Sequence, residues 1–306
     1  MNNRFECNKA SRLDEFLAEN LSISRSQVKK KISSNLVLID GTIENKAGRI
    51  VKLGQIVEIK EDEETLKKQS EYDFLTQPFA VLFEDDDLFI INKKRGVVVH
   101  PSPGHENDTL VNYLIKNYSW CKSLLEYDSL RPGIVHRIDK DTSGVLIIAK
   151  NINTFNTLKS MVKNHEIKRD YLCLVKGHPK HEKFMIDANI DRDINNRKNM
   201  KVVSSYKGRN AITHFVLSAK YKTSSLLSCS LETGRTHQIR VHLDHFGYPI
   251  IGDQVYGKTE INNFKDGQLL HAYRITLIHP TTKKVISIYA PLDEYFKKAI
   301  ITLSKR

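Results

Sequence analysis

Hydrophobic and polar positions alternate with two different periods along this chain. From Ser11, the stretch SRLDEFLAENL sets Leu13, Phe16, Leu17 and Leu21 on one helical face, and ISRSQVKKKI repeats the spacing with Ile23, Val28 and Ile32. Ser24 is placed to cap the second helix, which carries Arg25, Lys29, Lys30 and Lys31. The following LVLIDGTIENKAGRIVKLGQIVEI reads as short strands broken by turns at Asp40-Gly41 and Gly54. Residues 1–60 are thus predicted to form a small α/β domain with a basic helix exposed.

Residues 61–74, EDEETLKKQSEYDF, are charged and poor in apolar side chains, the composition of a mobile linker. Such a tether raises the local concentration of a second binding module without imposing one geometry. Beyond it, FAVLF, LFIIN, GVLIIAK, YLCLVKG, ITHFVLS and VISIYA read as strands, and residues 153–166 as an amphipathic helix with Phe155, Leu158, Met161 and Val162 as its apolar stripe. Strands and helices mixed irregularly over residues 75–306 predict an α+β domain. There is no internal repeat.

Charge sharpens this picture. The chain has 306 residues and a formal net charge of +12, distributed as +4 over residues 1–60, −8 over 61–90 and +16 over 91–306. Two basic segments flanking an acidic connector suit a nucleic-acid partner, against the plainer reading of a merely soluble basic protein. Cys7, Cys121, Cys173 and Cys229 show neither C-x-x-C spacing nor a disulfide framework, which fits a reducing compartment. A polar N-terminus and the lack of any run near the roughly 20 apolar residues of a membrane span lead to the expectation of a cytosolic protein with no membrane partner.

Candidate chemistry centres on HRIDKDTSG, residues 136–144, directly before the apolar run GVLIIAK. A turn that ends in Gly and opens a buried strand holds its side chains on a rigid edge, where catalytic groups are best organised. Taken alone, Asp139 could equally be a turn residue, as Asp, Thr, Ser and Gly commonly are. The string does not stand alone. It resembles the signature of the RluA-type pseudouridine synthases, and three further stretches match that family in order: NKKRGVVVHPSPG (92–104), RDYLCLVKG (169–177) and LETGRTHQIRVHLDHFGYPIIGDQVYG (231–257). The N-terminal segment resembles the small RNA-binding fold named after ribosomal small-subunit protein four, through its R-L-D opening, basic second helix and late glycine-valine pattern.

The resemblance implies a pseudouridine synthase fold, a mixed and largely antiparallel sheet with flanking helices and a central cleft, preceded by the small α/β RNA-binding domain. It implies conversion of uridine to pseudouridine in RNA without a cofactor. The glycosidic bond to uracil nitrogen breaks and the base rejoins through carbon five, so nothing is oxidised. It also implies Asp139 as the catalytic carboxylate, acting either as nucleophile or as base on the sugar, both of which fit the residues. Burial would raise the pKa of that group, so a fixed cation is needed; Arg240 takes this role by resemblance, against the alternative of a surface helix residue paired with Asp244 at i+4. Tyr171 packs on the target base in such enzymes, whereas by pattern alone it is a buried aromatic. Arg137 resembles the residue that enters the RNA stack on extrusion of the uridine. Arg235 is assigned to the turn or the RNA backbone, and Thr142 and Ser143 to shaping the turn. Arg25, Lys29 and Lys30 form the basic helix assigned to RNA, against the reading of a solvated face.

Two departures from the family pattern stand out. Arg169 replaces the usual Lys two positions before Tyr171, and K-P-x-G becomes Lys93-Lys94-Arg95-Gly96, which removes a rigid Pro and adds charge. His237, His242 and His245 lack the H-E-x-x-H spacing or Cys partners of a zinc site, so no metal is expected. The expected partner is large-subunit ribosomal RNA or its precursor particle, bound by a monomer. A catalytically silent assembly factor and a transfer-RNA synthase are the alternatives.

Overall fold

The computed structural model describes residues 3–21, 25–60, 77–196, 199–204, 206–257 and 264–305. The predicted cap Ser24, the side chain of Lys30 and the acidic stretch 61–74 lie outside the described residues. The chain divides into two compact units, 1–73 and 74–306.

In the first unit, β1 (Asn3–Glu6), β2 (Ser11–Arg12), α1 (Leu13–Leu21), α2 (Arg25–Ser33), β3 (Val37–Ile39), β4 (Thr42–Ile43), β5 (Ile50–Val51) and β6 (Ile56–Ile59) follow in order. The predicted helical stripe is the core: Leu13, Phe16, Leu17, Val28 and Ile32 are buried with Val37, Val51 and Val57. Strands order as β1-β6-β3-β4. The β3–β4 hairpin turns on Asp40 (φ 49°) and Gly41 (φ 81°), the two positive values a tight two-residue hairpin loop requires. Asp14 is buried at the start of α1. The hydrogen bond from Arg12 outweighs burial and, with that from Arg25, holds the Asp14 carboxyl down at about 2. Arg25 also reaches Glu15 at 2.9 Å. Its guanidinium is therefore engaged by two carboxylates of α1 while about half of its side chain, 49%, stays exposed; Lys29 is exposed as well.

The second unit contains β7 (Phe79–Glu84), β8 (Leu88–Lys93), α3 (Leu110–Asn117), α4 (Ser119–Ser123), β9 (Ser143–Ala149), α5 (Ile152–Lys163), β10 (Lys168–Lys176), β11 (Lys183–Asp187), β12 (Ile190–Arg192), β13 (Met200–Val202), β14 (Ile212–Lys220), β15 (Ser224–Leu231), α6 (Gln238–His245), β16 (Leu270–Ile278), β17 (Val285–Tyr289) and α7 (Glu294–Ser304). Among the described residues a nine-stranded sheet runs β11-β14-β15-β10-β16-β9-β8-β7, with β17 also paired to β16. All its strand pairs are antiparallel except β9 with β16, which run parallel at Ser143–His271 and Gly144–Ala272. Central strands are buried on both faces and read as continuous apolar runs, as β9 shows with every residue buried. Strand β16 does not read this way because buried His271 and half-buried Arg274 interrupt it.

No described helix is long and apolar enough to cross a membrane. All four cysteines are free and buried.

Candidate active site

The turn before β9 carries Asp139. The Asp139 carbonyl accepts the Thr142 N–H at 3.1 Å, and Thr142 Oγ1 accepts Gln268 Nε2 at 3.0 Å. Ser143 bonds Asp293 and lies 2.9 Å from His271 Nδ1. Thr142 and Ser143 thus fasten the turn to the neighbouring strand and to the N-cap of α7, in line with a shaping role.

Two cations of the 93–96 segment grip the same turn from below. Lys93 is fully buried, and its ammonium donates to the carbonyls of Lys94 (2.9 Å), Val97 (2.8 Å) and Lys140 (3.0 Å). Arg95 NH1 donates to the carbonyls of Asp141 and Gln268, while its guanidinium lies 4.7 Å from the Tyr295 ring centre. The segment that lacks the family Pro is therefore held by inward-pointing charge. Burial, with the positive field of Arg95, pushes the Lys93 ammonium down to about 7, against the pull of Asp141, Asp139 and Asp293. Three carbonyl acceptors favour its protonated form.

Arg240 lies in the first turn of α6, a helix whose residues from Gln238 to Leu243 are all buried. It is not a surface residue paired with Asp244. Its NH1 donates to Asp139 Oδ2 at 2.8 Å, and its Nε and NH2 donate to Asp253 at 2.7 and 2.9 Å. Asp253, from the turn after Ile251, also accepts the N–H groups of Val255 and Tyr256. The Tyr256 ring centre is 5.1 Å from the Arg240 guanidinium carbon. Asp253 thus fixes the orientation of Arg240 as a second carboxylate behind the first. Sequence reasoning passed over this residue although the GDQVYG string contains it.

His237, at the N-cap of α6 with φ 56°, was also missed. Its Nδ1 is 2.8 Å from the Tyr256 hydroxyl, which accepts the Met200 N–H at 2.8 Å and so has its proton to give to Nδ1. The ring then carries its own proton on Nε2, 4.0 Å from Asp139 Oδ1. Burial holds the imidazole below its ordinary range despite the pull of Asp139, so it is neutral at pH 7. For Asp139, burial pushes the carboxyl up; the fields of His237 when protonated, Arg240 and Arg137, with the Arg240 hydrogen bond, more than reverse this. Since His237 is neutral at pH 7, Arg240, with Arg137 adding its field, keeps Asp139 ionised there.

These groups open on a cleft of about 530 Å³. Six of its described lining residues are Arg or Lys and one, Asp139, is acidic, which suits a polyanion. Tyr171, on β10, lines it beside Asp139 and Arg240, so the cleft brings the three predicted catalytic residues together. Arg137 is exposed at the same cleft, with NH1 3.2 Å from His100 Nε2. Burial and the Arg137 charge push His100 down to about 4, so a neutral ring accepts from the guanidinium. Arg235 reaches the cleft too, its Nε donating to the Asn210 carbonyl at 2.9 Å.

The three histidines considered for a metal are apart in role: His237 faces Asp139, His242 is locked between Thr213 and the Ala188 carbonyl, and His245 is exposed. Asp85, Asp87 and His279 do converge elsewhere. There His279 Nδ1 accepts the N–H groups of Thr281 and Thr282, which leaves Nε2–H for Asp85 and makes the cluster a strut between turns.

The chain is similar to known proteins over most of its length. The family described as RNA pseudouridylate synthase matches residues 87–245, and the S4 domain matches residues 11–57. The uncharacterized RNA pseudouridine synthase YlyB of Bacillus subtilis is 39% identical over 301 residues, covering 97% of this chain and 95% of that protein. The ribosomal large subunit pseudouridine synthase D of Borreliella burgdorferi is 35% identical over 305 residues, covering 96% and 89%. Among solved structures, human RNA pseudouridylate synthase domain containing 4 aligns with a TM-score of 0.59 at 21% identity, covering 73% of this chain and 92% of its own.

Proposed function

The chain belongs to the RNA pseudouridylate synthase family, and from that premise we propose that it isomerises uridines of large-subunit ribosomal RNA, with Asp139 as the reacting carboxylate. The observation that carries this reading is the ionised Asp139 held by Arg240 in a cationic cleft beside Tyr171. The naming of the Borreliella burgdorferi relative as a large-subunit enzyme favours ribosomal over transfer RNA.

The reaction breaks the bond from ribose to uracil nitrogen one and forms one to carbon five; the proton lost from carbon five is balanced by one gained at nitrogen one. A single carboxylate serves either route, by adding to the sugar or by removing a proton from it. The base must leave its stack first. Arg137, exposed at the cleft mouth, is the side chain to fill the gap, and Tyr171 is the aromatic surface on which the extruded base packs. Arg240 keeps Asp139 charged, and Asp253 keeps Arg240 aimed.

Tritium release from large-subunit ribosomal RNA labelled at uracil carbon five tests the assignment. Wild-type protein is expected to release tritium and Asp139→Asn to release none while still binding RNA. Absence of release from transcript, ribosomal particles and transfer RNA alike would overturn the reading.

A further inference from the structure

Arg169 occupies the cleft without the partners that its neighbours have. It lies two residues before Tyr171 on β10, and both line the cleft with Asp139. Asp170 between them points away, bonded to Arg274 and Ser230. Arg240 is held by two carboxylates, Arg137 rests on His100 and Arg235 on the Asn210 carbonyl. Among the described residues the Arg169 guanidinium has no hydrogen-bond or ion-pair partner, and its Nε is buried and unsatisfied. Nε is enclosed, so the two terminal nitrogens, also without partners and open to the cleft, are the donors left to meet an acceptor that arrives with a ligand.

The seat is shaped for it. The guanidinium lies against the backbone of Gly234, where an added Cβ would stand 2.7 Å from NH1 and 3.5 Å from the guanidinium carbon. The same charge acts on His136, whose ring is pushed down to about 3 by burial and then by Arg169. His136 is therefore neutral, accepts the Ile147 N–H at 3.1 Å and offers no competing charge. A strand spacing of two residues is about 6.6 Å, which sets Arg169 about one nucleotide's reach from the Tyr171 ring on the same face of β10.

We propose that Arg169 binds the phosphodiester next to the extruded uridine, its planar fork taking two phosphate oxygens while Gly234 supplies the flat floor. This rests on the cleft being the site of uridine isomerisation. A guanidinium grips a phosphate through two parallel hydrogen bonds where an ammonium meets it as a point charge, so the Arg at this position is a specific choice over Lys.

The test uses the full-length protein and a short RNA already shown to be turned over by the wild type, with one methylphosphonate placed in turn at each linkage around the target uridine. The wild type is expected to lose 10- to 100-fold in kcat/KM at one linkage. Arg169→Gln should show a loss of that size on unmodified RNA, mostly through weaker binding, and no further loss at that linkage. Its slope of log affinity against log salt should fall by about 0.7. Arg169→Lys should recover the slope and only part of the affinity. Gly234→Ala, which displaces the guanidinium with its charge intact, should also remove the penalty at that linkage. Losses that multiply at every linkage, or an unchanged salt slope in a variant that unfolds at the wild-type urea concentration, would overturn the phosphate contact. Silence of the wild type on every RNA would instead overturn the function on which it rests.

Discussion

Asp139 and Asp253 face each other across one guanidinium. Arg240 gives NH1 to the first and both Nε and NH2 to the second. Two carboxylates on one cation leave one negative charge in excess. Asp253 is fully enclosed and takes two further backbone N–H groups, whereas the Asp139 side chain keeps 17% of its surface open. The uncompensated charge is thereby displayed on the cleft side, at the carboxylate proposed to react.

Removing the rear carboxylate should disable the front one. Asp253→Asn keeps the size of the side chain and deprives Arg240 of its bidentate partner. Breaking a buried ion pair from one side costs about 3–5 kcal/mol. Urea unfolding should show a loss of that order in the second unit, and kcat should fall with little change in RNA affinity.

The pH profile should report Arg240 directly. The Asp139 carboxyl lies below its ordinary value because the positive groups overcome burial. It is thus ionised throughout the neutral range, and activity is lost only as pH falls through that lowered value. In Arg240→Met the burial remains and the hydrogen-bonded cation is gone, while His237, protonated as pH falls, still acts on Asp139; the carboxyl therefore rises only part of the way and the acid limb of kcat/KM moves to higher pH. Arg240→Lys should lie between. An acid limb that stays in place in Arg240→Met would remove the guanidinium from this role.

Gly144 is required for steric reasons. Its φ is +115°, and a Cβ there would stand 2.2 Å from the Ala272 carbonyl oxygen. Gly144→Ala forces β9 and β16 apart or strains the turn. A loss above about 3 kcal/mol is expected from the combined backbone strain and overpacking, read by urea unfolding, with activity lost in the fraction that still folds.

Lys93 should impose its own pH dependence on stability. The folded-state value is about 7 against an ordinary 10.5. Between these limits the unfolded chain holds the extra proton, so stability from this group rises with pH across that window. Wild type minus Lys93→Met, measured by urea at pH 7 and pH 9.5, should increase by up to roughly 1.4 kcal/mol per pH unit. A difference independent of pH would mean that the buried ammonium keeps its ordinary value.

Motifs in the chain already marked Asp139, Tyr171 and Arg240, because each lies in a contiguous string of recognisable chemistry. Asp253 was hidden for a different reason. Its role depends on the turn after Ile251 folding back to the start of α6, a relation of space that no spacing rule carries. His237 looked like one of three similar histidines, and only its neighbours separate it from His242, which is a packing residue. The lost Pro and added charge at Lys93 to Gly96 did not tell where these side chains point; carbonyl acceptors turn Lys93 and Arg95 inward. In the first unit, the apolar stripe of α1 was legible from its period, while the capture of Arg25 by Asp14 and Glu15 on a separate helix was not.

The parallel junction of β9 with β16 also governs when the chain can become an enzyme. Asp139 precedes the strand on one side of that junction, and Tyr171 lies opposite Ala272 on the strand that flanks β16 from the other side. Ser143 and His271, which meet there, are 128 residues apart in sequence. Such distant pairing closes late, because its loop entropy is spent before its contacts form. A nascent chain still short of residue 272 has its carboxylate but no closed cleft around it. A chain cut before β16 would lack the strand that joins β9 to β10, and with it the link between the strand that follows Asp139 and the strand that carries Tyr171.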